Sequence, residues 1–193
     1  MTIQHSAITD AQRHEPKGAS TASAGQIWTS DGAASGSFKN TITNCHGQMV
    51  ITGNTTAKTL VAAADATLNT NTDYAKLTGA SAPWADSYSD NVTFTTDHLT
   101  LISPGYYMVS FWASFTIASV NNFVGFKYAL DSTLSTQKIV TQAATASDRR
   151  NVSATSIIGP VTANQALSLY VAGTIGTNIT MTDCGLMVAY LHA

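Results

Sequence analysis

The architecture turns on residues 91–118, Asn91 to Ala118, NVTFTTDHLTLISPGYYMVSFWASFTIA. This reads as a β-arm over 91–102, a break at Pro104-Gly105, and then one long strand. Beyond the break the odd positions are Tyr107, Val109, Phe111, Ala113, Phe115 and Ile117, all apolar. The even positions are Tyr106, Met108, Ser110, Trp112, Ser114 and Thr116, a mixed set. Side chains on a strand alternate between two faces, so one face is core and the other amphipathic. Tyr106, Met108 and Trp112 make the second face too apolar for water alone, and a partner subunit is the expected cover.

Working outward, turn residues punctuate a regular series of strand patterns. Strands are expected near 91–102, 105–118, 122–130, 136–142, 151–158, 166–173 and 178–192. The breaks are Asn121-Asn122, Asp131-Ser132, Ser147-Asp148, Gly159-Pro160 and the stretch from Gly173 to Asn178. Such spacing indicates an all-β antiparallel jelly-roll sandwich over 84–193. The expected core is Tyr107, Val109, Phe111, Phe115, Leu167, Leu169 and Val171.

Residues 41–83 read as a short-strand connecting region. Gln48–Thr52, Lys58–Val61 and Asp73–Gly79 are strand candidates, and Ala62–Leu68 is a possible helical turn. Residues 1–40 differ in kind. They carry runs such as Gly18-Ala19-Ser20-Thr21-Ala22-Ser23-Ala24-Gly25, with few large apolar residues: Ile3, Ile8, Ile27, Trp28 and Phe38. The segment reads as an extended N-terminal arm that cannot bury enough surface to fold by itself.

Composition narrows the function. Of the 193 residues 44% are hydrophobic and only 10% charged, against roughly 25% charged in an average soluble domain. Thr, Ser, Asn and Gln must therefore supply the polar surface, a composition common in β-rich shells, fibres and adhesins. The net charge is −2, with 9 Lys+Arg and 11 Asp+Glu. Arg149-Arg150 is the sole basic cluster, too little to neutralise phosphates, so no nucleic-acid partner is expected. No apolar run has membrane length, and the N-terminus lacks the pattern of a signal peptide, so synthesis in a cytosol and no membrane partner are expected. Cys45 and Cys184 fit no metal spacing and are expected as buried, reduced thiols.

No catalytic constellation emerges. His14-Glu15-Pro16-Lys17 gathers ionisable groups, but on an arm without a pocket to fix geometry or shift a pKa. Asp86, Asp90 and Asp97 could serve a hard cation, yet their spacing fits no loop and turn roles explain them. His5, His14, His46, His98 and His192 are scattered without ligand spacing. Asn54, Asn91, Asn151 and Asn178 match Asn-x-Ser/Thr, which a Thr-rich chain produces by chance. The expectation is no enzyme, no cofactor and no metal.

Two resemblances follow from particular residues. Ser103-Pro104-Gly105-Tyr106-Tyr107, Leu167-Ser168-Leu169-Tyr170-Val171 and Gly185-Leu186-Met187-Val188-Ala189-Tyr190-Leu191 resemble the trimeric jelly roll of the tumour-necrosis-factor and complement globular-head families. In those families the late strand often follows Gly-Asp; Ala163-Asn164-Gln165 stands there instead. The arm Ile8–Gly18 with Gly25-Gln26-Ile27-Trp28, and Asp73–Gly79 ahead of Trp84, is similar to small virion proteins of tailed bacteriophages. The resemblance implies a homotrimeric decoration (cement) protein on the outer capsid surface, assembled in the host cytoplasm. Its partner would be the major capsid protein, contacted by Arg13, His14, Glu15, Pro16, Lys17 and Trp28. Tyr106, Met108 and Trp112 would form the trimer interface. The alternative it leaves open is a head or tail fibre protein that recognises a host-surface glycan.

Overall fold

A computed structural model describes residues 26–30, 36–40 and 45–192. Fifteen strands follow in chain order: β1 (Gln26–Ser30), β2 (Gly36–Asn40), β3 (His46–Ile51), β4 (Lys58–Thr59), β5 (Ala75–Lys76), β6 (Ala85–Asp90), β7 (Val92–Thr95), β8 (His98–Leu101), β9 (Gly105–Ile117), β10 (Phe123–Leu130), β11 (Thr133–Leu134), β12 (Ile139–Gln142), β13 (Asp148–Val161), β14 (Gln165–Gly173) and β15 (Asn178–His192). Among the described residues the helical content is two single 3-10 turns, Asn71–Asp73 and Gly79–Ser81. Among the described residues no helix is long and apolar enough to cross a membrane.

The chain divides into two compact units, residues 1–43 and 44–193. In the first, β1 and β2 pair antiparallel, with Trp28 opposite Phe38. The second is an antiparallel sandwich. One sheet runs β13-β9-β15-β3-β6, with β4 added beside β15. The other runs β11-β10-β14-β8-β7, with β12 beside β10 and β5 beside β14. Strands adjacent in space are mostly remote in sequence, the signature of a jelly roll. The sheets draw β3, β4 and β5 from residues 41–83, and β3 lies inside its sheet, between β15 and β6.

The core sits where the period-two pattern placed it. Tyr107, Val109, Phe111, Phe115, Leu167, Leu169 and Val171 are all buried. Phe126 of β10 meets Phe111 and Phe115 of the opposite sheet, ring centroids 5.8 and 5.3 Å apart. Offset and edge contacts of this kind add to the stabilisation from burial. Tyr107 is buried in the same layer; its hydroxyl donates to the Ser103 carbonyl at 2.7 Å, which satisfies the one polar atom it brings inside.

Three local outcomes differ from the sequence expectation. The 91–102 arm is a hairpin, β7–β8, because the chain reverses at Thr96, whose φ is 38°. No helical turn forms at 62–68. The Asp65 carboxylate instead accepts the backbone N–H groups of Thr67, Asn69 and Thr70, and Leu68 takes φ 55°. A carboxylate that captures backbone donors competes directly with a helix. Finally, β13 starts at Asp148 and passes Gly159-Pro160 to reach Val161, with an irregular register there.

Candidate assembly interface

The outer face of the β13-β9-β15-β3-β6 sheet follows from register. Tyr106, Met108 and Trp112 of β9 lie opposite His192, Ala189 and Gly185 of β15. On the other side Met108 faces Ile157 and Trp112 faces Ser153 of β13. Further across, Gln48 and Val50 of β3 sit opposite Met187 and Gly185, and Tyr88 of β6 opposite Gln48. Large apolar side chains alternate on this face with Ser110, Ser153, Thr155 and Gln48. Ile157 is 65% exposed, Tyr88 53% and Trp112 38%, with Met108, Met187 and Val50 half-buried around them.

Aromatic rings organise this surface. Trp112 lies across Gly185, so that a Cβ built there would fall inside the indole. A glycine beneath an aromatic ring on the next strand allows the ring to lie flat. His46 stacks on Tyr88 and Tyr106 on His192, with centroids 4.7 and 4.8 Å apart. Polarity returns at the far end, where Arg149 donates to Ser114 at 3.0 Å and pairs with Asp183 at 3.3 Å. The three residues expected at a trimer interface thus share one side of one sheet. Trp28 is half-buried in β1, and Arg13, His14, Glu15, Pro16 and Lys17 lie outside the described residues.

The three aspartates do not converge. Asp86 accepts from Ser89, and Asp90 from Asn91. Asp97 accepts from Lys76 at 2.7 Å, His98 at 2.9 Å and Thr78 at 2.7 Å. Burial pushes its carboxyl up, but the three donors outweigh that and hold it at about 2. Among the described residues no three His, Cys, Asp or Glu side chains come together as a metal site. Cys45 and Cys184 are buried and free. Burial drives the Cys184 thiol up, away from its reactive thiolate form.

Sequence reasoning missed a cleft where the sandwich opens between β13 and the β10–β12 strands. Its inner part, about 390 Å³, is lined by Val109, Phe111, Phe126, Ile139 and Ala154. An adjoining cavity of about 630 Å³ is lined by Tyr128, Asp131, Thr133 and Gln137 together with the apolar Leu134 and Ile158. Gln137 accepts from Ser156 at 2.6 Å and latches the two sides together. The gap exists because β13 presents Ala154 and Ser156 inward, opposite Phe111 and Val109 in register. These side chains are too small to fill the space between sheets that pack about 10 Å apart. The signal was present in the sequence as small residues, but nothing there showed which face they took.

No protein-family model and no curated protein matches the chain. Solved structures do match. Murine APRIL at pH 5.0 superposes with a TM-score of 0.53 at 8% identity, over 77% of this chain and 99% of that one. The globular domain of zebrafish complement 1qA gives a TM-score of 0.49 at 11% identity, over 77% and 98% of the two chains. The PRD1 vertex protein P5 gives 0.48 at 10% identity, over 78% and 99%. The likeness defines the fold: the chain is a jelly-roll sandwich of the kind seen in APRIL.

Proposed function

We propose that this chain is a structural protein of a virion, a homotrimer that decorates the outside of a capsid. The observation that carries the reading is the apolar sheet face bearing Tyr106, Met108, Trp112, Met187 and Ile157. A cluster of exposed large apolar side chains on a folded sandwich, here interrupted by Ser110, Ser153 and Thr155, calls for a macromolecular cover, and cyclic closure by identical copies is the common way to supply one. The low charge and the Thr/Asn-rich polar surface fit a shell component. The arm, residues 1–40, tethers the trimer to the major capsid protein through Arg13, His14, Glu15, Pro16, Lys17 and Trp28. Three arms bind as one multivalent unit, so a weak single contact suffices for lasting attachment. A truncation starting at Phe38 is expected to leave a folded trimer that no longer decorates particles lacking the native protein. Decoration by the truncated chain as tight as by the full chain would remove the arm from the mechanism.

One observation favours a second reading, a fibre protein that recognises a host-surface glycan. The cavity adjoining the edge cleft presents hydroxyls, amides and a carboxylate beside Tyr128, groups that can hydrogen-bond to and stack on a sugar. Glycan-array binding lost on Asp131→Ala would favour this role over decoration.

A further inference from the structure

The loop from Leu60 to Tyr74 lies over the outer face of the second sheet and covers Lys127. This lysine is only 4% exposed. Its Nζ donates to Asn71 Oδ1 at 2.8 Å and lies 4.9 Å from the Tyr74 ring centroid. Among the described residues it has no carboxylate within ion-pair distance. A buried ammonium without a counter-ion is costly, and the amine form relieves that cost. Burial lowers its pKa most, the ammonium of Lys138 lowers it further, and Asp65 pulls it back up.

The loop leaves Asn71 little freedom. Leu68 is a fully buried plug, and the Tyr74 hydroxyl donates to its carbonyl at 2.9 Å. Asp65 holds Thr67, Asn69 and Thr70, and Asp73 accepts from Ala64 N at 3.0 Å. The Lys127 side chain, only 4% exposed, is thus held with its Nζ 2.8 Å from the oxygen of a fixed carboxamide. Fixed proximity removes part of the entropic cost of a two-reactant step.

We propose that Lys127 and Asn71 react to form an intramolecular isopeptide bond. The Lys127 Nζ lone pair attacks Asn71 Cγ, and a carbon–nitrogen bond forms. The bond from Cγ to Nδ2 breaks, and Nδ2 takes up the amine's proton and leaves as ammonia. No oxidant, metal or cofactor takes part. The same loop contains an internal control. Lys138 Nζ lies 2.5 Å from Asn69 Oδ1 in an exposed pair, and no cross-link is expected there. The cross-link does not depend on what the protein assembles with, and it fastens the loop to β10 across 56 residues of chain.

The test is the mass of the purified full-length chain in denaturant, when fresh and after prolonged incubation at neutral pH. The expected mass is one ammonia below that of the sequence. A tryptic digest should give a branched peptide joining Asn71 to Lys127. Lys127→Arg and Asn71→Ala should each restore the missing ammonia and abolish the branch; neither needs to be stable for its mass to be read. A full sequence mass in both wild-type samples overturns the proposal. So does an ammonia loss that persists in Lys127→Arg, which would mark a succinimide elsewhere.

Discussion

Ile157→Asp separates assembly from folding. Ile157 lies on the outer face of β13, opposite Met108, and is 65% exposed. Substitution of such a residue changes the stability of a lone subunit by about 0.5 kcal/mol, and by up to about 1 kcal/mol once the poor strand propensity of Asp is included. Assembly through this face makes the cost far larger. Full burial of an isoleucine side chain is worth about 1.5–3 kcal/mol, so covering the exposed two-thirds contributes about 1–2 kcal/mol per copy. Asp forfeits that and adds several kcal/mol for desolvating an unpaired carboxylate. Over three copies the penalty is roughly 10 kcal/mol or more, about seven decades in the association equilibrium. Sedimentation velocity at micromolar concentration should show wild type as a trimer and Ile157→Asp as a monomer with an unchanged circular-dichroism spectrum. A variant that still sediments as a trimer would exclude this face from the interface. A monomeric wild type would refute the homotrimer outright.

Phe111→Ala should cost about 3–5 kcal/mol, read as a lowered denaturation midpoint, because the ring packs against Phe126 and borders a cleft that cannot collapse to fill the space. At Leu68, where φ is 55°, Gly should be less destabilising than Ala by about 1 kcal/mol, since both lose the plug but only Gly relieves the left-handed backbone; equal losses would contradict the strain argument. Asp97 is held below its unfolded pKa, so its stabilisation is fully present above about pH 4 and is lost as pH falls toward about 2. Asp97→Asn should flatten the melting-temperature profile in that window and nowhere else. Cys45 and Cys184 should both resist alkylation in the native protein and both react once it is denatured without reductant.

The sequence was most informative where chemistry repeats at short range. The apolar alternation of β9 and the late strands Leu167–Val171 and Gly185–Leu191 identify core faces because the period of a strand is two residues. The polar outer half of β13 carries less of that signal, since Arg149, Asn151, Ser153 and Thr155 alternate with a mixture of Arg150, Val152, Ala154 and Ser156. The strand is accordingly longer than its pattern suggests. Pairing was the harder part. Nothing local tells β3 that its neighbours are β15 and β6, because that choice is settled by contacts across most of the chain. The Lys127–Asn71 pair was invisible for the same reason, and the 62–68 turn was misread because Asp65 spends its carboxylate on backbone donors. That Tyr106, Met108 and Trp112 share one face of β9 was legible from alternation alone. Gly185 beneath Trp112 was not, since an aromatic over a glycine needs the register between two strands.

The position of β15 bears on biosynthesis. This strand lies between β9 and β3, so one sheet lacks an interior member until residue 192 has left the ribosome. β3, among the first strands made, must wait with an unpaired edge while roughly 130 further residues are translated, some ten seconds or more at ordinary elongation rates. Folding of this sandwich therefore waits on β15, and is slow for its size because its pairings are remote. In a crowded cell that interval is when exposed strand edges of neighbouring nascent chains can meet. The few large apolar residues and many Thr, Ser and Asn of the early segments offer little surface for such encounters while β15 is awaited.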